Sequence, residues 1–312
     1  MCGCWTIRPE GSWSMIRVVT LSPAIDITYQ VERLVPGESL RVGKVHRVAG
    51  GKGLNVARVI KGGGHQVHLV LPLGGQAGDW LAAQIQGLGI PASVIGIEGD
   101  TRSCVTVVGQ ETTVLNEPAA RLSAEEFDHL LALGSQPSKT TVFSGSIPAG
   151  ISTEQLSKLF ATLRSSSGNL IIDTSGAALL QAAKCGPDIV KPNLSEALEA
   201  TETTSADSAI AALHSLGAQR VLLSLGSDGA VLSEPSKSLS ANLQPVSGNP
   251  TGAGDAMVAL SAISLDAQLS DRELLAKAVA AGALAVAEET AGVIDWAKLD
   301  QLAGMVQIKE RN

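Results

Sequence analysis

The ten residues Gly248–Met257 read Gly-Asn-Pro-Thr-Gly-Ala-Gly-Asp-Ala-Met and set an acid inside a glycine turn. Gly252 and Gly254 permit a tight turn whose amides point one way. Met257, Val258, Leu260 and Ile263 then follow Asp255 at helical spacing, so the turn should open a helix. A helix N-terminus favours an anion. A carboxylate held there is suited to accept a proton while negative charge develops beside it. Taken alone, the segment also reads, and more simply, as an N-cap aspartate behind a glycine turn.

A second glycine turn, Ala49–Ile60, reads Ala-Gly-Gly-Lys-Gly-Leu-Asn-Val-Ala-Arg-Val-Ile. Lys52 lies within it, where a long cation meets a bound anion, and Asn55 falls in the first helical turn, where its amide can reach a ligand hydroxyl. It is not a Walker A loop, because no Ser or Thr follows the lysine and the glycine spacing differs. Asp26 stands in the turn after the first strand, with hydrogen-bonding capacity for sugar hydroxyls or simply turn chemistry. Arg102 begins another strand, a position that suits a phosphate or carboxylate clamp as well as a solvated surface arginine.

These residues need a scaffold, and the chain supplies a strand–helix rhythm. Met15–Leu21, Val67–Leu73, Thr140–Phe143, Leu170–Ile172, Asp188–Val190 and Val221–Leu223 read as buried strands. Each ends in polar or glycine residues: Ser144-Gly145-Ser146, Asp173-Thr174-Ser175-Gly176, Lys191-Pro192-Asn193-Leu194-Ser195-Glu196 and Ser224-Leu225-Gly226-Ser227-Asp228-Gly229 among them. Several such edges on one side of an α/β sheet build one crevice for ligands. Helices are expected near Asp79–Leu88, at Ser123–Leu133 behind a capping box of Ser123 and Glu126, and over Asp271–Ala287. Two stretches break the rhythm. Ile27–Val35 and Leu40–Val48 alternate apolar and polar residues around Pro36-Gly37, predicting a hairpin. Cys104–Val108 and Thr112–Leu115 predict two more exposed strands. Together, residues 26–48 and 100–116 are expected to form a small β-lid over a three-layer α/β sandwich with a mostly parallel central sheet.

Composition agrees with that architecture. The 312 residues are rich in Ala, Gly, Leu and Val, and only 3% are aromatic. A net charge of −7 argues against nucleic-acid and anionic-membrane partners, although a pocket can still be locally basic. Cys2, Cys4, Cys104 and Cys185 form neither a zinc spacing nor a disulfide framework. No apolar run reaches membrane length. Residues 1–14 lack a signal-peptide core and read as an unstructured N-terminal extension, with Met15 as the functional start and the cytoplasm as the expected compartment.

Taken together, the motifs resemble the PfkB, or ribokinase-like, family of carbohydrate kinases. Ala49–Ala57 is similar to its first signature, Thr251–Asp255 to the core of its second, and Asn193-Leu194-Ser195-Glu196 to its Asn-x-x-Glu motif. Within the family, Thr20–Asp26, Gly50–Val59, Thr101-Arg102, Ser144–Pro148 and Val190–Asn193 look most like the bacterial 1-phosphofructokinases and tagatose-6-phosphate kinases. The resemblance runs from about Met15 to the last helix. It implies ATP- and magnesium-dependent phosphorylation of a sugar phosphate, with Asp255 as base and the amides of Gly252, Ala253 and Gly254 as anion hole. It implies that Asp26, Gly51, Asn55 and Ser144 hold the sugar, and that Lys52 and Arg102 grip its phosphate. Asn193 and Glu196 would organise Mg2+ through water. Lys191, Asn193, Ser224, Gly226 and Gly229 would line the ATP site with Gly252 and Gly254, and Gly282 would lie near adenine. A homodimer formed through the lid is a further expectation.

Two residues depart from the family pattern. Cys104 replaces an asparagine common in the sub-family, and a thiol is the weaker hydrogen-bonding group. Pro250 stiffens the approach to the second signature and removes a donor. The leading expectation is conversion of fructose 1-phosphate to fructose 1,6-bisphosphate, with tagatose 6-phosphate or fructose 6-phosphate as alternative acceptors. A free-sugar or nucleoside kinase would have no phosphate for Lys52 and Arg102 to meet. A non-catalytic sugar-binding protein on the same fold would have no need of the Asp255, Asn193 and Glu196 set.

Overall fold

A computed structural model describes residues 15–311; the expected N-terminal extension, with Cys2 and Cys4, lies outside the described residues. The strands are β1 (Ile16–Val19), β2 (Ala24–Gln30), β3 (Lys44–Gly50), β4 (Val67–Leu73), β5 (Ala92–Gly96), β6 (Arg102–Val108), β7 (Thr112–Asn116), β8 (Ser138–Ser144), β9 (Ser167–Asp173), β10 (Ile189–Val190), β11 (Val221–Ser224), β12 (Ala230–Glu234), β13 (Lys237–Asn242) and β14 (Gln307–Arg311). The helices are α1 (Lys52–Gly62), α2 (Gly75–Gly87), α3 (Ala124–Gly134), α4 (Thr153–Ser166), α5 (Ala177–Lys184), α6 (Leu194–Thr201), α7 (Ala206–Leu216), α8 (Ala253–Asp266), α9 (Asp271–Val286) and α10 (Leu299–Met305).

Ten strands form one sheet in the order β14-β13-β12-β11-β10-β9-β8-β1-β4-β5. From β11 to β5 all neighbours run parallel, while β12, β13 and β14 are antiparallel additions at one edge. Successive residues of β1 face opposite layers, as a strand's alternation requires. Val18 belongs to the core layer that holds Leu54 of α1 and Leu260 of α8, whereas Val19 belongs to the one that holds Phe127 of α3 and Phe160 of α4. The fold is therefore a three-layer α/β sandwich with a mostly parallel core, and all the parallel strands point their carboxyl ends at one edge. Among the described residues, no helix is long and apolar enough to cross a membrane.

A separate four-stranded sheet, in the order β3-β2-β6-β7, stands off that edge. The observed hairpin differs from the expected one. Its strands are Ala24–Gln30 and Lys44–Gly50, and residues 31–43 form turns instead of extending the ladder. Asp26 is consequently the third residue of β2, rather than part of a turn. Pairing with β6 in register from Ala24↔Arg102 draws it into the strand. The antiparallel strands β12–β14 have no counterpart in the sequence reading, because their serine-rich alternation is weak.

At the opposite edge of the main sheet, Arg17 is buried inside β1. Its guanidinium donates to Thr141 Oγ1 (2.9 Å), Ser166 Oγ (3.0 Å), Ser167 Oγ (3.3 Å) and the carbonyl of Gln136. Gln136 follows the end of α3 and Ser166 and Ser167 close α4, so the cation meets the negative ends of two helix dipoles, with Thr141 of β8 completing the set. Burial pushes the Arg17 group down to about 10.

Candidate active site

Helices α1 and α8 both start from glycines in the left-handed region, Gly51 (φ 90°) and Gly252 (φ 88°). No β-carbon is accommodated readily at such angles. Their first turns meet: Asn55 Nδ2 donates to Asp255 Oδ2 at 2.9 Å, joining residues 200 apart in sequence. That bond orients the Asp255 carboxylate and leaves Asn55 Oδ1 buried without a partner. Among the described residues, the amides of Gly252, Gly254 and Asp255 have no acceptor, while that of Ala253 donates to the Pro250 carbonyl at 3.2 Å. The open anion-binding amides are thus those of Gly252, Gly254 and Asp255. The expected Ala253 contribution is spent on closing the turn that Pro250 stiffens. Asn249 Oδ1 accepts from the Thr251 amide (3.0 Å) and braces the same turn.

Facing this turn is a residue to which the sequence reading assigned no role. Asp173 ends β9 in complete burial. Ser144, at the end of neighbouring β8, donates to its Oδ2 at 3.0 Å, and Lys52 Nζ (3.5 Å) and Lys191 Nζ (3.7 Å) flank its Oδ1. Burial pushes the Asp173 carboxyl up, but the Lys191 and Lys52 ammonium groups and the Ser144 hydroxyl outweigh it and hold the group below its ordinary value. The available signal was an acid directly behind the apolar run Leu170-Ile171-Ile172, at the carboxyl end of a central strand.

Asp255 behaves oppositely. Burial and, secondarily, the Asp173 carboxylate push it up to about 6, against the pull of Asn55, Lys52 and Lys191. One carboxylate is therefore locked as an anion while the other is poised to exchange a proton near neutral pH. Lys52 is held protonated chiefly by Asp173, with Glu196 at 3.5 Å adding to the effect. Lys191 is buried against Gly254, where a β-carbon would approach its Nζ to 3.1 Å.

Asn193 and Glu196 form a reciprocal capping box on α6. Asn193 Oδ1 accepts from the Glu196 amide (2.8 Å), and Glu196 Oε2 from the Asn193 amide (2.9 Å). Glu196 Oε1 is turned to Lys52, and among the described residues no group of three acidic, His or Cys side chains forms a ready-made metal cage. Ser224 bridges to Asn193 across the ends of β11 and β10, placing the Gly226–Asp228 turn beside α6. At Gly229 a β-carbon would collide with the Ala241 carbonyl, so this glycine serves the β12–β13 hairpin. Gly282 sits in the α8–α9 seam against Met257.

On the small sheet, Asp26 lies over Gly50, whose missing side chain leaves room for the carboxylate. Burial pushes the Asp26 group up, opposed by the Gly51 amide and by the Arg102 and Arg58 charges. Cys104 is its direct neighbour in register. Arg102 donates to the carbonyls of Glu117 (3.0 Å) and Ser22 (3.2 Å), with Nε buried and unpartnered. Among the described residues it makes no ion pair, which leaves its charge available to a ligand.

Residues 15–297 match the pfkB family carbohydrate kinase description. This chain belongs to that family. The kinase is 33% identical to tagatose-6-phosphate kinase of Staphylococcus epidermidis over 310 residues, covering 95% of this chain and all of that protein. Its fold is similar to that of phosphofructokinase-2 from Escherichia coli, solved in complex with potassium, with a TM-score of 0.87, 28% identity, and coverage of 93% of this chain and 98% of that one. Arabidopsis thaliana ribokinase, complexed with ribose and ATP, shares the fold at a TM-score of 0.75 and 23% identity, over 93% of this chain and 99% of that one. The carbohydrate-kinase assignment and the ribokinase-like fold thus agree with the sequence motifs.

Proposed function

We propose that this kinase transfers the γ-phosphoryl group of ATP to a hydroxyl of a ketohexose phosphate. The observation that carries the reading is Asp255. It is buried beside unpaired amides, oriented by Asn55, and raised to about 6. Phosphoryl transfer needs alignment and charge neutralisation more than covalent help. Asp255 accepts the proton of the attacking hydroxyl. The amides of Gly252, Gly254 and Asp255 and the ammonium of Lys191 neutralise the transferring oxygens. Arg102, carrying no carboxylate partner, holds the phosphate already on the sugar, while Asp26 and Asn55 Oδ1 accept from sugar hydroxyls. Ser224, Gly226 and the Asn193 end of α6 border the nucleotide.

A bound Mg2+ would supply charge neutralisation to the transferring phosphate. Asn193 and Glu196 would hold it through water, since Asn193 Oδ1 and Glu196 Oε2 already serve the capping box and Glu196 Oε1 faces Lys52, and Mg2+ keeps several waters in such sites. The small sheet acts as a lid that excludes water from the reaction. Its face opposite Asp26 exposes Val45 and Leu115, at 42% and 58%, which supports contact with a second copy of the chain.

The 33% identical relative supports tagatose 6-phosphate as acceptor, and the motifs around Asp26, Lys52 and Arg102 support fructose 1-phosphate. An ATP-consumption assay over fructose 1-phosphate, fructose 6-phosphate, tagatose 6-phosphate, fructose, ribose and adenosine tests the reading. Turnover should be confined to the phosphorylated sugars; turnover of a free sugar or adenosine alone overturns it.

A further inference from the structure

Arg58 directly follows the stretch similar to the first signature and was given no role at the site. It lies on α1 one turn beyond Asn55. A single nitrogen of its guanidinium, Nη1, donates to two carbonyls from distant parts of the chain: Ala49 O at 3.3 Å and Ala291 O at 3.0 Å. Burial lowers the group below its ordinary value, and the Asp26 carboxylate partly restores it.

Each carbonyl belongs to a different half of the site. Ala49 is the penultimate residue of β3, paired with Ile25, and the next residue is Gly50, on which the Asp26 carboxylate rests. This is the root of the lid. Ala291 belongs to the loop that follows α9, and that loop presses on the catalytic turn at two points. Ala291 packs on Gly252, where a β-carbon would meet the Ala291 methyl at 2.7 Å. Gly292 packs on the Asn55–Arg58 ridge, with distances of 3.1 Å to Asn55 Cα, 3.2 Å to Asn55 Oδ1 and 3.3 Å to Arg58 Cβ from its own β-carbon position. The loop therefore touches both the N-cap of α8 and the residue that orients Asp255. It is fixed on its other side as well, because the Val286 carbonyl at the end of α9 accepts from the Asn249 amide at 2.9 Å.

We propose that Arg58 is a positioning residue, a strut that ties the root of the lid to the catalytic turn, so that seating a sugar phosphate beneath the lid and shaping the anion-binding amides are one linked event. The kinetic consequence rests on the function proposed above; the mechanical one does not. A guanidinium is suited to this task because it is planar, permanently charged and carries several donors in fixed directions. A lysine retains the charge, but its three donors rotate on one nitrogen at the end of a flexible stem, so it holds the two carbonyls less firmly.

The test compares wild type, Arg58→Ala and Arg58→Lys by amide hydrogen exchange without ligands and by steady-state kinetics. In Arg58→Ala, segments 24–30 and 248–256 should both exchange at least about tenfold faster, while the buried stretch Leu156–Leu163 of α4 keeps its wild-type rate. Turnover should fall at least about tenfold, with the KM for ATP changed by less than about threefold. Arg58→Lys should recover most of the protection and part of the turnover, and it covers the case in which Arg58→Ala folds poorly. In Arg58→Ala, loosening of only one segment or uniform loosening that includes α4 overturns the strut, and so does wild-type exchange in both variants. If wild type phosphorylates no sugar phosphate while both segments loosen together, the proposed substrate class falls and the strut stands.

Discussion

The two edges of the main sheet both bury charge, and they handle it differently. At the amino-terminal edge, the two terminal nitrogens of Arg17 donate to a carbonyl and three hydroxyls near the ends of α3 and α4 and on β8, and only Nε is left without a partner. At the carboxyl edge, two carboxylates and two lysines share one crevice, Asp173 Oδ1 and Asn55 Oδ1 lack hydrogen-bond partners, and Asp255 is pushed up to about 6. The same strands supply both edges. The first surrounds one cation with neutral acceptors and leaves only its Nε unpartnered, whereas the second opposes two carboxylates whose repulsion a proton gained by Asp255 would relieve. Buried charge by itself therefore does not mark a site; unspent donors and acceptors beside opposed pKa shifts do.

The largest effect should come from Asp255→Asn. The amide keeps the shape and cannot take a proton, so turnover should drop by about 10²–10⁴-fold. Stability should move the other way. A carboxylate raised in the folded state binds its proton more tightly there than in the unfolded chain, so protonation stabilises the fold, and stability is lost as pH rises from about 4 through about 6. Removing the charge should thus raise stability at neutral pH, by up to about 3 kcal/mol, read from urea unfolding. A variant that loses both turnover and stability would reduce Asp255 to a structural cap.

Arg17→Ala sharpens the contrast from the other edge. It removes one donor from the Gln136 carbonyl and from each of three hydroxyls, of which Ser166 keeps its bond to the Gly134 carbonyl and Ser167 its bond to Thr141 Oγ1, so the loss is that of the Arg17 bonds at about 0.5–1.5 kcal/mol each. Urea unfolding should show a clear loss of stability, while KM values of the remaining folded enzyme stay within about twofold of wild type. A change in KM without a loss of stability would undo the division of labour between the edges.

Arg102→Ala should raise the KM for a sugar phosphate at least about tenfold and leave the KM for ATP nearly unchanged, because charge-assisted bonds to phosphate contribute roughly 1.5–3 kcal/mol each. Equal effects on both constants would remove Arg102 from the substrate's side of the crevice.

Much of this site was legible in the chain because local signals carry it. The glycine turns around Lys52 and Asp255 are set by backbone angles that few residues adopt, and strand ends are marked by apolar runs stopping at polar residues. What was not legible is pairing across the chain. Nothing local tells Asn55 that its donor will meet Asp255, or Lys52 that it will lie between Asp173 and Glu196. Asp26 was misplaced by its proline-containing approach, which reads as a turn, whereas pairing with β6 extends the strand back to Ala24. Asn193 and Glu196 were read for magnesium, and the same spacing is also a helix-capping box, which local pattern does not separate from ligation.

The central claim is that Asp255 accepts a proton with its pKa held up by burial and by Asp173. The acid limb of kcat/KM for the sugar phosphate, followed from pH 4.5 to 8, tests it most directly. In wild type the limb should have its midpoint near pH 6. In Asp173→Asn the like charge is gone and Lys52 and Lys191 are freed to favour the Asp255 anion, so the midpoint should move to lower pH. A flat wild-type profile down to pH 4.5, or a limb that keeps its midpoint in Asp173→Asn, would contradict it.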